Sequence, residues 1–275
     1  THKLFHIGHL RNITTGESIA RILEFSGAKI IRTNYQGDVG LHIAKCLWGI
    51  KKLSLKKLST LDEKIKFLGE AYTTGSKAYE KDENTKNEII EINKNLYGKE
   101  PKITKLWKET RKWSLDYFDK IYKRVYTKFD RLYFESEVAE SGKKISEDAL
   151  KKGILKKSEG AIIFDGEPYG LDKRVFINNL GFPTYEAKEL GLSQLEFSEF
   201  GKIDKVIHVV GPEQSSFFKV TFKVEELLDP MKFKDKQAHL AYGWVRLKEG
   251  KMSSRLGNVV EGKFLLNELK KKVLE

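Results

Sequence analysis

The sequence predicts an α/β protein: a Rossmann-like, doubly wound parallel sheet interrupted by a helical insertion. Three observations predict it. Residues 1–50 and 129–258 alternate helical apolar stripes with short apolar strand runs, while residues 51–128 carry long Lys/Glu-rich amphipathic segments and no convincing strand. In the opening stretch a helix, a strand and a Gly-rich turn beyond the strand end follow in order, the texture of a doubly wound sheet.

Each element has a local reason. Leu10, Ile13, Ile19, Ala20, Ile22 and Leu23 form a helical stripe that Gly27 stops. Residues 28–34 then read as a buried strand, and Gly37-Asp38-Val39-Gly40 as the turn after it. The insertion contains amphipathic segments over 62–81 and 104–128, with Pro101 separating two of its helices. The α/β pattern returns with a strand at 129–134 and a hairpin over 154–164 turning at Ser158-Glu159-Gly160. Further strands are expected at 175–178, 205–210 and 241–247, and helices at 184–197 and from Gly211-Pro212 to about Leu228. Residues 259–275 begin a last helix. The expected organisation is thus 1–50, 51–128, 129–258 and 259–275.

Composition excludes several classes. The chain has 275 residues, 40% apolar and 33% charged, with apolar clusters throughout, so disorder is excluded. No run approaches the ~18 apolar residues of a membrane span, and no secretory pattern opens the chain. Cys46 is the single cysteine, so neither an internal disulfide nor a cysteine-based zinc site is expected. No metal ligands are assigned, and a reducing cytoplasm is the expected compartment. The formal charge of +12 suits a polyanionic partner, although much of the lysine excess lies where solvated helix faces are expected. The chain starts at Thr1, and a piece of a longer chain is expected.

Two short motifs carry chemistry. His6-Ile7-Gly8-His9 opens the first helix, with both histidines on one face of its first turn. Gly8 leaves that face bare for a flat nucleoside, and the helix N-terminus with imidazole donors suits phosphate oxygens. Near the other end, Lys251-Met252-Ser253-Ser254-Arg255 places two cations and two hydroxyls in a Gly-flanked loop, suited to holding a polyphosphate. Taken singly, the first also reads as two surface histidines and the second as a solvated turn.

Together and in this order, the motifs resemble the two signatures of class I aminoacyl-tRNA synthetases. The surroundings are similar to arginyl-tRNA synthetases: Asn34-Tyr35-Gln36-Gly37-Asp38-Val39-Gly40, Phe134-Glu135-Ser136-Glu137, Pro183-Thr184-Tyr185-Glu186-Ala187-Lys188 and Tyr242-Gly243-Trp244-Val245-Arg246-Leu247. The resemblance implies a class I catalytic domain that activates arginine with ATP and transfers it to the 3′ end of tRNA(Arg). It implies that His6 and His9 stabilise the α-phosphate, that Gly8 lies under the ribose and adenine, and that Trp244 and Val245 line the adenine pocket. Lys251, with Met252, Ser253, Ser254 and Arg255 around it, would hold the β- and γ-phosphates, and Mg²⁺ would accompany the nucleotide. For arginine it implies Glu186 as guanidinium ligand, with Gln214, His9 and Phe182 in the pocket. A guanidinium requires such a planar, bidentate carboxylate. Two positions depart from the family pattern: Glu186 stands where aspartate is usual, and Phe182 where tyrosine is common.

Expected partners are tRNA(Arg), L-arginine and ATP, with no membrane and a monomeric state. Asp38 is read as pocket architecture, Cys46 and the Trp107–Trp113 helix as packing, and His208 as a satisfied core or pocket-wall residue. The resemblance also implies flanking tRNA-contacting and anticodon-binding domains that this sequence does not contain. The competing readings are therefore a truncated or repurposed ATP- and arginine-binding domain, or another class I synthetase of cysteinyl or glutamyl type. The lack of zinc-ligand cysteines counts against the cysteinyl type, and an acidic pocket counts against an acidic substrate.

Overall fold

The computed structural model describes residues 1–2, 4–54, 58–243 and 260–275. The chain divides into two compact units, Thr1–Leu132 with Val245–Glu275, and Tyr133–Trp244. Among the described residues no helix is long and apolar enough to cross a membrane.

In the first unit, α1 (Ile7–Phe25) is followed by β1 (Thr33–Gln36) and α2 (Leu41–Leu53). Beyond α1, Gly27 sits at φ +92° and its N–H bonds back to the Glu24 carbonyl, which closes the helix. β1 starts later than the expected strand at 28. Its partner β2 (Arg131–Phe134) first reaches it where Asp130 and Arg131 donate to the Arg32 carbonyl, and Ile31 upstream is exposed. An apolar run without a partner does not make a strand.

The insertion forms α3 (Leu61–Lys81), α4 (Glu83–Tyr97) and α5 (Pro101–Arg124). Each starts on a specific cap: Thr60 with Glu63 in a capping box, Asp82 bonded to the Thr85 N–H, and Glu100 before Pro101. Ile65, Leu68, Ala71 and Tyr72 of α3 join Ile43, Leu47 and Ile50 of α2, and Trp113, Tyr117 and Ile121 of α5, in one core. The helical segment and the opening α/β stretch therefore share a single core. Trp113 and the fully buried Cys46 belong to it, as packing predicts, and burial pushes the Cys46 thiol up. The closing helix α10 (Gly262–Leu274) is tied to the same unit by Arg124–Asn267 and Lys263–Asp62 contacts.

In the second unit, α6 (Glu135–Lys151) precedes β3 (Lys156–Ser158), β4 (Ala161–Phe164) and β5 (Arg174–Ile177), an antiparallel three-stranded sheet. The β3–β4 turn has positive φ at Glu159 and Gly160, the two-residue turn whose twist matches a hairpin. Helix α7 (Tyr185–Phe200) lies against α6 almost backbone to backbone: a Cβ on Gly142 would stand 2.1 Å from the Ala187 carbonyl oxygen. With α6 this close, most of α7 is buried, including Glu186, Lys188, Glu189 and Glu196. β6 (Val206–Val210), α8 (Ser215–Leu228), the short α9 (Pro230–Phe233) and β7 (Gln237–Ala241) form a parallel crossover unit. Gly211-Pro212 opens a 3₁₀ turn before α8. β7 ends at Ala241, opposite the last residue of β6, earlier than the expected strand; residues 244–247 lie outside the described residues. The α/β class and the parallel pairing are as the sequence predicts.

Candidate functional site

In the first unit the signature histidines are parts of the helix they open. His6 is the N-cap of α1, and its Nδ1 accepts from the Gly8 N–H at 3.1 Å. His9 reaches back so that its Nδ1 accepts from the His6 N–H at 3.2 Å, and the two rings lie 3.9 Å apart. A backbone N–H only donates, so each Nδ1 is an unprotonated acceptor and each neutral ring carries its hydrogen on Nε2. Capping thus fixes both tautomers, with the ring hydrogen of each on Nε2 and both rings next to the positive end of α1. Gly8 has a reason of its own: a Cβ there would stand 2.9 Å from His6 Cε1.

The chain beyond the second motif returns to the same place. Ile7 donates to the Val260 carbonyl at 3.0 Å, Gly262 donates to the Phe5 carbonyl at 2.8 Å, and His6 and Glu261 form an antiparallel bridge. The Tyr117 hydroxyl holds Glu261 at 2.9 Å. Lys251, Met252, Ser253, Ser254 and Arg255, like Trp244 and Val245, lie outside the described residues. Asp38, fully buried, is paired with Arg111 at 2.5 Å, and its carbonyl accepts from Trp107 Nε1 at 2.6 Å. It ties the turn after β1 to α5.

In the second unit the charges of α7 can be followed one by one. Lys188 is buried and bonded to Glu135 of α6 at 2.5 Å. Glu186 is buried on the first turn, and Arg174 of β5 donates to it at 3.3 Å. The same guanidinium donates to Ser216 at 2.9 Å, and Ser216 donates to Asp172. Glu186 therefore already holds a guanidinium belonging to the protein. Glu189 does not. It is 3% exposed, and its Oε1 has no hydrogen-bond partner among the described residues.

What faces Glu189 is a polar cluster from three further elements. His208 of β6 places Nδ1 3.7 Å from Glu189 Oε1, and its Nε2 lies 3.0 Å from Gln237 Oε1 of β7. Gln237 Nε2 donates to Glu225 Oε2 of α8 at 2.9 Å, and Glu225 is also bonded to Ser193. Burial, then the charges of Glu225, Glu196 and Glu135, push the Glu189 carboxyl well above the usual carboxylate range. Burial likewise raises Glu225 to about 8 and lowers His208 to about 4. The His208 ring packs at a tilt against Phe218, centroids 4.6 Å apart.

The other expected pocket residues are at the surface of this unit. Gln214 is exposed in the 3₁₀ turn just beyond the C-terminal end of β6, where parallel sheets present ligand sites. Phe182 is half-buried, with its N–H on Asn178 Oδ1 at 3.0 Å. The exposed Tyr185 has Lys188 Nζ 4.9 Å from its ring centre.

The family model for class I (R) tRNA synthetases, catalytic domain, matches residues 1–275. The chain belongs to this family. An arginine–tRNA ligase of Borreliella afzelii is 36% identical over all of the chain, and one of Bdellovibrio bacteriovorus 35% identical over 98% of it. The chain spans 48% and 47% of those relatives' lengths. The fold is similar to the arginyl-tRNA synthetase of Thermus thermophilus, with a TM-score of 0.73 at 23% identity over 98% of this chain and 50% of that one. The sequence alone does not single out Glu189. Its signal was present, three residues after Glu186 on the same helix, but the internal partner of Glu186 stands twelve positions upstream and shows only in the fold.

Proposed function

We propose that this chain is the catalytic part of an arginine–tRNA ligase, and that Glu189, rather than Glu186, takes the substrate guanidinium. The observation that carries the reading is a buried carboxylate oxygen, Glu189 Oε1, with no donor among the described residues, on the helix that opens with the family's Pro183-Thr184-Tyr185 motif. Such an oxygen costs the fold ~1–3 kcal/mol until a donor reaches it. A guanidinium supplies two parallel N–H donors and the compensating charge in one group. Glu196 also has an oxygen without a partner among the described residues, but it lies two turns further along α7, away from the motif.

The chemistry follows from what the residues offer. The arginine carboxylate attacks the α-phosphate of ATP in line, and pyrophosphate leaves. The terminal ribose hydroxyl of tRNA(Arg) then attacks the arginyl carbonyl, and AMP leaves. No enzyme group becomes covalently attached, so rate enhancement comes from positioning and from charge stabilisation on phosphate oxygens. The Nε2–H donors of His6 and His9 serve the α-phosphate, and Lys251 with Ser253 and Ser254 serves the β- and γ-phosphates. Mg²⁺ bound to the nucleotide would neutralise part of its phosphate charge. The reading places the enzyme in the cytoplasm.

ATP–pyrophosphate exchange tests it, measured with each amino acid and with and without tRNA. Exchange for arginine alone, cut at least ~100-fold by His9→Ala, is the expected result. Exchange with another amino acid would reassign the substrate. Arginine and ATP binding without exchange under either condition would make the chain a binding domain.

A further inference from the structure

Resting on the assignment of Glu189 to the guanidinium, we propose that the unliganded protein carries a proton on the Glu189 carboxyl and releases it when arginine binds. The geometry forces a count of hydrogens around this residue. Ser193 Oγ is within reach of two acceptors, its own helix's Glu189 carbonyl at 3.0 Å and Glu225 Oε1, yet has one hydrogen. A protonated Glu225 satisfies both contacts: its hydroxyl donates to Ser193, and Ser193 donates to the carbonyl. Glu225 Oε2 is then the acceptor for Gln237 Nε2, which turns Gln237 Oε1 toward His208. His208 Nε2 must therefore be the donor, and its Nδ1 carries a lone pair.

That lone pair is what meets Glu189. Two acceptors stand 3.7 Å apart, with no donor among the described residues on Glu189 Oε1. An ionised Glu189 would face a lone pair in a buried setting; a protonated one presents a hydrogen to it. The remaining charged groups around it act the same way or are spoken for. Glu196 on α7 adds negative charge, Glu225 of α8 holds its own proton and is neutral, and Glu135 of α6 is matched by Lys188. Glu186 is matched by Arg174 of β5, and His239 of β7 is engaged with the Val210 carbonyl. Among the described residues no cation is committed to Glu189, so the arriving guanidinium supplies one. The balance is simple: a neutral carboxyl and a guanidinium cation give a carboxylate–guanidinium pair and one proton, which passes to solvent.

The test is calorimetric titration of the full chain with L-arginine at pH 7, in phosphate and in Tris, whose ionisation heats differ widely. The expected result is release of about one proton per arginine, with Kd rising about tenfold for each pH unit lowered between 8 and 6. In Glu189→Gln, arginine binding weakens and the residual heat no longer depends on buffer; in Glu225→Gln the release persists. Arginine binding that needs Glu189 but releases no proton overturns the inference and leaves the guanidinium assignment standing. Release that vanishes in Glu225→Gln places the proton elsewhere and also overturns it. Affinity unchanged by Glu189→Gln removes the assignment itself.

Discussion

Lys188→Met isolates what the buried charges of α7 do for the fold. Lys188 and Glu135 meet at 2.5 Å with side chains 5% and 4% exposed. At an effective dielectric near 20 their attraction is about 7 kcal/mol. Removing both charges from water costs several kcal/mol per ion, so the pair itself contributes little. Removing one partner is different, because Glu135 stays behind, buried, beside an already unfavourable Glu189. The expected cost is ~3–5 kcal/mol, read as a urea midpoint lowered by about 2 M at an ordinary m-value. Lys188→Met with Glu135→Met should recover most of that loss, since two apolar side chains of similar length fill the space. A single variant within ~1 kcal/mol of wild type, or a double variant as unstable as the single, would show that the pair is not desolvated as the coordinates imply.

Three further outcomes follow from the same contacts. Gly8→Ala drives a Cβ to within 2.9 Å of His6 Cε1, so the ring must leave the cap. About 1 kcal/mol of stability should go with the cap and, with the Nε2–H donors displaced, ~100-fold in ATP–pyrophosphate exchange; exchange at the wild-type rate refutes the donor role. Burial raises the Glu225 carboxyl to about 8, so the native state holds a proton there that the unfolded chain loses from about pH 4.5 upward. Unfolding free energy should fall between those pH values by up to roughly 5 kcal/mol from this group, and Glu225→Gln should flatten that slope in denaturant titrations. Burial works to raise the Glu17 carboxyl, but hydrogen bonds from Arg32, Arg21 and Thr127 win and lower it. Its contribution is present above the ordinary carboxylate range and lost as pH falls through the lowered value, so Glu17→Gln should weaken the protein at neutral pH and leave it unchanged in strong acid.

What could be read in advance divides by sequence distance. The turn at Ser158-Glu159-Gly160 and the end of α1 at Gly27 are decided within four residues, and the structure has them where the sequence puts them; the caps of α3, α4 and α5 are equally local. Strand limits were less legible. β1 and β7 begin and end where β2 and β6 provide partners, about 100 and 30 positions away in the chain. The His6–His9 pair was visible as a motif, whereas its capping geometry, which fixes the tautomers, required the coordinates. The carboxylates of α7 show the boundary most clearly. Glu186 and Glu189 look alike in sequence, and only Arg174, arriving on β5, tells the occupied one from the empty one.

If Glu189 is kept for a ligand, the fold should be better off without it. Glu189→Met removes a buried carboxyl whose Oε1 has no donor among the described residues, and keeps nearly the same volume. The unliganded protein should gain ~1–3 kcal/mol, a rise of several degrees in Tm at most for a unit this size. Wild type, by contrast, should be stabilised by arginine by ~2.7 kcal/mol at a hundred times Kd, and the variant not at all. The melting curves of the two proteins should therefore change order as arginine is added. That crossing separates a binding carboxylate from a structural one, because stability and ligand response move in opposite directions only for the former. A variant that melts well below wild type without arginine would mean that Glu189 holds part of the interior together, and the guanidinium would then need another partner.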